Sequence, residues 1–235
     1  MEHGRLILIP TLLGDSSVDA VMPANLRNVI NGMKHFIVED LRTARRFLKK
    51  VDRDIDIDSL VFFELNKHTP EADIRPMIQP MLEGHDTGLM SEAGTPCVAD
   101  PGSMIVSLAH DSDIKVIPLS GPSSITLALM ASGFNGQNFV FHGYLPVESK
   151  NRQSALKRIE QDAYRLDQTQ IFIETPYRNM QMLESILKTC LPGTRLCIAA
   201  NLTTSLEMIR TLPVSRWKKE PPAIHKQPAV FLIYK

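Results

Sequence analysis

Short apolar runs alternate with amphipathic segments through the first half of the chain, and this alternation limits the possible folds more than any other feature. The apolar runs are almost continuous, as is typical of strands that are buried on both faces of a sheet. We expect strands at residues 5–10, 35–40, 59–65, 87–91 and 114–119, and helices at 23–33, 42–51, 71–84, 101–110 and 123–132. Pro23 opens the first helix, and Pro76 and Pro80 strain the third. Strands that are separated by helices pair in parallel through right-handed crossovers, so this half predicts an open parallel sheet.

The character of the sequence changes after Gly133. We expect strands at residues 138–145, 169–175, 195–202, 207–213 and 229–235, and helices at 152–164 and 177–190. No long helix separates the last two strands, which predicts antiparallel pairing in a mixed sheet. The predicted fold is therefore α/β with two α/β domains, residues 1–118 with a mostly parallel sheet and residues 119–235 with a mixed sheet. One Rossmann-type domain with an appended sheet stays open as an alternative.

The composition excludes some classes of function. The 235 residues include 26 basic and 26 acidic side chains, so a role in nucleic-acid binding has to rest on a local patch. Neither the three cysteines (Cys97, Cys190 and Cys197) nor the histidines show the spacing of metal ligands, and we expect no metal and buried, reduced thiols. The chain shows no secretory leader and no apolar run long enough to span a bilayer, so we expect a soluble, cytoplasmic protein without membrane contact.

Three loops rich in glycine, proline and serine follow predicted strands: "PTLLGDSS" (10–17), "SEAGTPCVADPG" (91–102) and "SGPSS" (120–124). Ligands of open parallel sheets bind at the carboxyl ends of the strands, and glycine lets backbone amides approach a ligand closely. A tight strand-to-helix connection explains any one of these loops, but three together favour a binding role. None contains the glycine fingerprint of NAD or P-loop proteins, so we expect a polar ligand of adenosine size without a polyphosphate.

The middle loop resembles the S-D-A-G-T-P-x-I-S-D-P-G loop of the tetrapyrrole methylase superfamily, in particular its branch of small-subunit ribosomal RNA 2′-O-methyltransferases. Four further segments resemble that branch in the same order: "VEDLRTARRFL" its E-D-T-R segment, "PLSGPSSITLALMASG" its P-G-P-S, "FVFHGYLP" its F-x-G-F-L-P and "IFIETPYR" its F-Y-E-S-P-H-R. The resemblance spans nearly the whole chain. It implies S-adenosylmethionine (SAM) as the cofactor, a cofactor cleft between two α/β domains, and a homodimer.

By the same resemblance, the three loops form the wall of the cofactor site. The implied cofactor-binding residues are Pro10, Thr11, Leu12, Gly14, Ser91, Glu92, Ala93, Gly94, Thr95, Pro96, Asp100, Gly121, Pro122, Ser123 and Ser124. Gly94 and Pro96 would fix the path of the middle loop. Asp100 would equally well cap the helix that is expected from Pro101.

Methyl transfer from SAM needs no metal, because the methyl group is already activated on a sulfonium. The enzyme has to align the acceptor, which can supply roughly 7–11 kcal/mol. For a hydroxyl acceptor it also has to remove a proton, for which a positioned base contributes about 10²–10⁴-fold. The candidate catalytic residues near strand ends are Glu39, Asp40, Arg42, Glu64, Glu92 and Glu174. A structural ion pair or a helix cap would also account for any single carboxylate in this set.

A basic stripe favours a polyanionic acceptor such as ribosomal RNA. On the helix after Asp40, four basic residues lie at i, i+3, i+4 and i+7, opposite an apolar stripe. The basic residues are Arg42, Arg45, Arg46 and Lys49, and the apolar ones are Leu41, Ala44, Leu48 and Val51. Such a stripe can neutralise phosphates, although an ordinary solvated helix face has the same pattern. Trp217 and Tyr177 are able to stack on a base, but core or interface packing is the expectation for both.

The chain departs from the rRNA branch at one segment in particular. It reads "AANLTT" (199–204) where the branch has A-R-E-L-T-K, Leu41 replaces the threonine of E-D-T-R, and "IPTLLGD" lacks the P-x-G-N-L pattern. Three functions therefore stay open. The first is a SAM-dependent methyltransferase of small-subunit rRNA, the second a SAM-dependent methyltransferase of a small tetrapyrrole-like acceptor, and the third a SAM-binding module without catalysis.

Overall fold

The computed structural model describes residues 2–235, and the chain forms two compact units. The first unit ends at Ser123, and the second runs from Ser124 to Lys235. Each unit contains its own five-stranded sheet, parallel in the first and mixed in the second. The predicted fold class is therefore confirmed. The alternative of one Rossmann-type domain does not fit, because each unit also has its own hydrophobic core.

The first unit is built from strands and short helices in strict alternation. The strands are β1 (Leu6–Leu8), β2 (His35–Val38), β3 (Val61–Glu64), β4 (Thr87–Met90) and β5 (Val116–Pro118). The helices are α1 (Val18–Val21), α2 (Leu26–Asn31), α3 (Leu41–Val51), α4 (Glu71–Ile74), α5 (Gln79–Leu82) and α6 (Ser103–Asp111). Short 3₁₀ turns at Ile57–Ser59 and Arg75–Ile78 complete it.

The strand order β3-β2-β4-β1-β5 divides the helices between the two faces of the first sheet. The chain moves in one direction across the sheet from β1 to β2 to β3, and in the other direction from β3 to β4 to β5. Right-handed crossovers therefore put α1, α2 and α3 on one face and α4, α5 and α6 on the other. The two separate apolar clusters on these faces agree with this division. Because β4 lies between β2 and β1, the loops after these three neighbouring strands lead to opposite faces, which is the topological switch point of the sheet.

Two predicted helices of the first unit differ from the observed ones. The helix expected to open on Pro23 begins three residues later, at Leu26, because Pro23 and Ala24 lie in a turn in which the Pro23 carbonyl accepts from the Leu26 amide. The helix expected at residues 71–84 is broken into α4, a 3₁₀ turn and α5. Pro76 and Pro80 lack the amide that a continuous helix would need at each of these positions.

The second unit begins with a uniformly apolar helix and continues with the mixed sheet. Its helices are α7 (Ser124–Ser132), α8 (Ser149–Leu166), α9 (Asn179–Thr189) and α10 (Val214–Trp217). Its strands are β6 (Phe139–Tyr144), β7 (Thr169–Ile173), β8 (Arg195–Ala200), β9 (Met208–Pro213) and β10 (Ala229–Tyr234). A 3₁₀ turn at Pro176–Arg178 follows β7. Gly133 ends α7 with φ +74°, as the sequence predicts.

The order of the second sheet, β6-β7-β10-β8-β9, corrects one expectation. The last two strands, β9 and β10, do not pair with each other; each is antiparallel to β8, which lies between them. Trp217 ends α10 in the core of this unit, where its indole Nε1 donates to the carbonyl of Leu196 at 2.9 Å. Trp217 is thus a core residue and is not available to stack on a base.

No helix in residues 2–235 is both long enough and apolar enough to cross a membrane.

Candidate active site

The loops after β1 and β4 form a continuous structure at the carboxyl end of the first sheet. The amide of Thr11 donates to the carbonyl of Gly94 at 2.9 Å, and the amide of Gly94 donates back to Thr11 at 3.2 Å. The hydroxyl of Thr11 also donates to the carbonyl of Ser91 at 3.3 Å. Gly94 has φ +78°, and a Cβ at this position would approach Leu13 to 3.0 Å. The glycine is required because a side chain would be strained in this conformation and crowded by the first loop.

The loop after β5 packs against the loop after β1. A Cβ placed on Gly121 would lie 2.2 Å from Cγ of Pro10, far inside van der Waals contact. The carbonyl of Pro122 lies on the other side, 3.5 Å from the Cβ position of Gly94. The three loops that the sequence singles out therefore meet in the first unit, down to Ser123. Ser124 is the first residue of α7, in the second unit.

Glu39 joins a fourth strand end to this group. It follows β2, and its Oε2 accepts from the amide of Glu92 at 3.0 Å, across 53 residues of sequence. The carboxylate thereby fixes the start of the loop after β4 from the side opposite to Thr11. The loops after β1, β2, β4 and β5 are connected around the switch point of the sheet.

Several backbone amides of these loops point to no acceptor within the chain. Among residues 2–235, the amides of Leu12, Leu13 and Ala93 donate no hydrogen bond. The amides of Thr11 and Gly94 are paired with each other's residues, and that of Glu92 is paired with Glu39. Unpaired amides at the carboxyl ends of parallel strands are donors for a polar or anionic ligand.

A small acidic pocket opens beside the loop after β4. Glu39, Pro96 and Asp100 are among the residues that line it. Burial, together with the neighbouring charges of Asp100, Glu92 and Asp40, raises the pKa of Glu39 above its ordinary value. Burial also raises the pKa of Asp100, although backbone amides, that of Gly102 foremost, act in the opposite direction. Two carboxyl groups whose charged forms are disfavoured thus share one pocket.

Asp100 has a structural role within its own loop. Its Oδ1 accepts from the amide of Gly102 at 2.7 Å, and Gly102 directly precedes the first turn of α6. Its Oδ2 is buried and has no hydrogen-bond partner among the described residues. Cys97 and Ala99 have φ values of +69° and +65°, which are unusual for residues with a side chain. Asp100 is therefore not the cap that the sequence offers, because α6 begins at Ser103 with Gly102 as its N-cap and without a side-chain cap; Asp100 instead closes a turn before the helix.

The remaining candidate carboxylates are engaged elsewhere. Asp40 is the N-cap of α3 and accepts from the amide of Thr43 at 2.7 Å, which lowers the pKa of Asp40. Glu64 ends the edge strand β3, and its Oε1 accepts from the side-chain amide of Asn66 at 2.8 Å. Glu174 belongs to the second unit, where its buried Oε1 forms an ion pair with Arg178 at 2.6 Å. Glu92 is exposed, and its backbone amide is the donor to Glu39.

The outer face of α3 is basic, as the sequence predicts. Arg42, Arg45, Arg46 and Lys49 are exposed, and none of them forms an ion pair with the rest of the described chain. The opposite face buries Ala44, Phe47, Leu48 and Val51, while Leu41 is partly buried. The guanidinium of Arg45 lies 5.5 Å from the ring centroid of Phe62. One face of α3 therefore carries four exposed cations without an ion-pair partner in the described part of the chain, although Lys49 also donates to the carbonyl of Arg53.

The segment that departs from the rRNA branch forms a turn after β8 that is bonded to the loop before β10. Asn201 and Thr203 have φ values of +51° and +68°. The side chain of Asn201 donates to Gln227 Oε1 at 2.9 Å, and the hydroxyl of Thr204 donates to the carbonyl of Asn201 at 2.8 Å. The turn therefore uses short polar side chains for its own backbone and presents no ionic group in place of the arginine, glutamate and lysine of the branch.

Two features escape the sequence analysis. Leu13 packs against Gly94, and no pattern in "PTLLGD" distinguishes it from Leu12. Lys226 has φ +60° and lies over the ring of Tyr177, with 5.7 Å between its Nζ and the ring centroid.

In the part of the chain that the structure describes, no group of three or more His, Cys, Asp or Glu side chains is arranged to hold a metal ion.

Loops that meet at the switch point of a parallel sheet define a ligand-binding protein of the open-sheet α/β class. The sequence model of the tetrapyrrole (corrin/porphyrin) methylases matches residues 20–216. The chain therefore belongs to the tetrapyrrole methylase family, whose members are SAM-dependent methyltransferases, and the resemblance noted in the sequence is confirmed.

Relatives and solved structures agree with this membership. The chain is 29% identical over 235 residues to ribosomal RNA small subunit methyltransferase I of Escherichia coli O157:H7, which covers 99% of this chain and 78% of the relative. It is 33% identical over 207 residues to the protein of the same name from Streptococcus pyogenes serotype M6, covering 87% and 67%. Its fold is similar to that of the methyltransferase CobJ (TM-score 0.66, 16% identity, 99% and 94% covered). It is also similar to that of uroporphyrin-III C-methyl transferase from Thermus thermophilus complexed with S-adenyl homocysteine (TM-score 0.60, 15% identity, 99% and 98% covered).

Proposed function

We propose that the protein transfers the methyl group of SAM to a 2′-hydroxyl of small-subunit ribosomal RNA. The observation that carries the acceptor is the similarity, along nearly the whole chain, to enzymes named ribosomal RNA small subunit methyltransferase I. The exposed, unpaired cations on α3 support an acceptor with phosphates. The fold and the family account for the methyl donor.

The loops of the first unit fit SAM, which carries an adenine ring, ribose hydroxyls, a sulfonium, an ammonium and a carboxylate but no phosphate. The unpaired amides of Leu12, Leu13 and Ala93 are suitable donors for such groups. We propose that the loops Pro10–Gly14, Ser91–Pro96 and Gly121–Ser124 hold the cofactor, with Asp100 fixing the middle loop rather than binding the ligand. When bound, SAM supplies an activated methyl group on a sulfonium.

Glu39 is the carboxylate best suited to accept the proton that the acceptor hydroxyl loses. Asp40, Glu64 and Glu174 are occupied by a helix cap, an asparagine and an arginine. Glu39 lines the acidic pocket with its pKa raised by burial and by neighbouring carboxylates, and a raised pKa makes a carboxylate a stronger base. Its hydrogen bond from the Glu92 amide fixes its orientation. Arg42, one turn along α3, is proposed to contact the RNA backbone.

The acceptor is tested on the ribosome of a deletion strain. Small subunits from that strain are incubated with the purified protein and radiolabelled SAM, and the rRNA nucleosides are then analysed by mass spectrometry. We expect one 2′-O-methylated nucleotide that is absent from the deletion strain and is restored by the protein. Unchanged rRNA, together with tight binding of S-adenosylhomocysteine in calorimetry, would reject the rRNA acceptor and leave a small tetrapyrrole acceptor or a non-catalytic SAM-binding module.

Two substitutions of Glu39 separate a proton acceptor from a residue that only holds the loop. Glu39→Gln keeps an acceptor for the Glu92 amide but removes the base, so kcat is expected to fall by about 10²–10⁴-fold while the affinity for S-adenosylhomocysteine is retained. Glu39→Ala removes both functions and should weaken binding as well. Full activity of Glu39→Gln would show that Glu39 is not the base.

We also propose that the protein works in the cytoplasm as a homodimer. The support for a second copy is α7, which is apolar around its whole circumference and buries only Ala128 and Ser132 completely. Met130, 74% exposed, is the most exposed apolar side chain of this helix. An apolar helix that is only partly buried indicates a missing partner surface. Met130→Glu is expected to convert a dimer to a monomer in sedimentation experiments, and a wild-type monomer would refute the assembly.

A further inference from the structure

One end of the second sheet collects exposed apolar side chains. Because β6 and β7 are parallel and β10 is antiparallel to both β7 and β8, the carboxyl ends of β6, β7 and β8 lie at the same end as the start of β10. The loops at this end carry four exposed apolar or aromatic residues, which are Tyr144, Val147, Tyr177 and Leu206. Tyr177 is 72% exposed, so its ring contributes little to the core.

The position of Tyr177 is nevertheless fixed. It lies in the 3₁₀ turn Pro176–Arg178, where Arg178 is held by its ion pair with the buried Glu174 at 2.6 Å. The amide of Lys226 donates to the carbonyl of Pro176 at 3.0 Å, which ties the turn to the loop before β10. An aromatic ring that is exposed but held on a rigid turn loses little conformational entropy when a ligand stacks on it.

The same loops supply positive charge next to the ring. The ammonium of Lys226 lies 5.7 Å from the ring centroid of Tyr177, and Lys226 forms no ion pair among the described residues. About a third of the Arg178 side chain is exposed, but its charge is compensated by the buried Glu174. The surface at Tyr177 thus combines an exposed ring with one ammonium, that of Lys226, which has no ion-pair partner in the described part of the chain.

The loops at this end are also connected to one another. Asn179 donates to the carbonyl of Gln227 through its side chain, and Gln227 accepts from Asn201 at 2.9 Å through its own. These bonds join the turn after β7, the turn after β8 and the loop before β10. Tyr177 therefore lies among loops that are bonded to one another. Tertiary contacts hold Lys226 and Asn201 in the left-handed backbone conformation.

We propose that Tyr177, with Lys226 beside it, is a stacking platform for an unpaired nucleotide of the RNA acceptor. This proposal rests on the proposed function and names a part of the chain that contacts the substrate. An exposed ring stacks on the face of a base, and a neighbouring ammonium neutralises the adjoining phosphate. The combination of an exposed ring and an ammonium without an ion-pair partner favours single-stranded RNA over an apolar protein partner, which would not need the ammonium.

The test measures RNA binding and cofactor binding separately on the full chain. The probe is a fluorescein-labelled single-stranded RNA of roughly 12 nucleotides, a length within the usual site size of such surfaces. Tyr177→Leu is expected to raise the Kd for this RNA by about 5- to 100-fold, while Tyr177→Phe, which keeps the ring, stays close to wild type. Phe139→Leu is the matched control, because Phe139 is an exposed aromatic residue at the opposite end of the same sheet. Calorimetry with S-adenosylhomocysteine should give the wild-type Kd for all three variants.

The charge beside the ring has its own signature. Lys226→Asn keeps a side chain that tolerates the left-handed backbone. The association constant for RNA falls as salt increases, and we expect this variant to make the slope of log K against log salt concentration less negative by about 0.7. Tyr177→Leu should leave that slope unchanged, since stacking releases no counterions. If either residue has a purely structural role, its substitution should instead lower the melting temperature. The two variants would then not separate a loss of affinity from a change in salt dependence.

The outcomes distinguish the platform from the proposed function. If the wild-type protein methylates small subunits and Tyr177→Leu binds RNA as tightly as Phe139→Leu does, the platform is wrong while the function stands. If the wild-type protein neither methylates rRNA nor binds the RNA probe, the proposed function fails and the platform falls with it. Weaker RNA binding by Tyr177→Leu alone, with wild-type cofactor affinity, supports the platform.

Discussion

Replacing Gly121 by alanine tests whether the loops after β1 and β5 really pack against each other. The new Cβ would lie 2.2 Å from Cγ and 2.5 Å from Cβ of Pro10, whereas ordinary contacts begin at 3.4 Å. A change of ring pucker can move Cγ of Pro10 but not its Cβ, so one of the two loops has to move by close to an ångström. Overpacking of this kind costs typically about 1–3 kcal/mol.

The effect is expected in both stability and cofactor binding. For a chain of this size, about 1–3 kcal/mol lowers the melting temperature by roughly 2–12 °C. Pro10 directly precedes Thr11, whose two backbone bonds hold Gly94, so a displaced first loop also disturbs the loop after β4. If binding restores the native spacing, it has to overcome the same strain, and the Kd for S-adenosylhomocysteine should rise by up to about 100-fold.

Thermal unfolding followed by circular dichroism and isothermal titration calorimetry measure the two effects. Gly136→Ala is the control, since a Cβ at Gly136 meets nothing within 4 Å and its backbone lies outside the left-handed region. The reasoning is refuted if Gly121→Ala has the melting temperature and the cofactor affinity of Gly136→Ala. A loss of affinity without a loss of stability would place the strain in the bound state alone.

Three further predictions address single contacts. Glu39→Gln should stabilise the protein at neutral pH. Because the pKa of Glu39 is raised, the native state binds its proton more tightly than the unfolded state does. The contribution of Glu39 to wild-type stability therefore falls as the pH rises above the ordinary glutamate pKa. In urea unfolding this advantage should vanish near about pH 4, and an advantage that is constant with pH would contradict it. Asp40→Ala should cost about 1 kcal/mol by removing the cap on the Thr43 amide, whereas Asp40→Asn should retain most of that stability. Trp217→Phe should cost about 1–3 kcal/mol in denaturant unfolding, because the buried carbonyl of Leu196 loses its donor; no change would mean that water replaces the indole.

Local sequence patterns predicted most of the elements because the physics behind them is local. The basic and apolar stripes of α3 follow from helical periodicity, and they appear in the structure with Phe47 added to the buried face. The failures are local as well. Pro23 does not open α2, because the chain first makes a turn, and Pro76 and Pro80 divide one expected helix into two.

The loops of the candidate site were predictable as a group but not as a structure. Glycine and proline at three strand ends predicted a binding role for these loops, and the resemblance of the middle loop indicated the family. No sequence pattern predicts that Glu39 accepts a hydrogen bond from an amide 53 residues away, or that Gly94 and Thr11 exchange backbone hydrogen bonds. These bonds depend on the strand order β3-β2-β4-β1-β5, which brings β1, β2 and β4 together.

The sequence by itself determined the class of fold, the position of the loops and the family, because periodicity, glycine placement and loop motifs act through near neighbours in the chain. Only the tertiary structure decided which groups remain available. It assigns Asp40, Glu64 and Glu174 to partners and leaves Glu39 at a pocket; it buries Trp217 and exposes Tyr177. Burial and partner choice depend on residues that are distant in sequence and become neighbours only when the two sheets form.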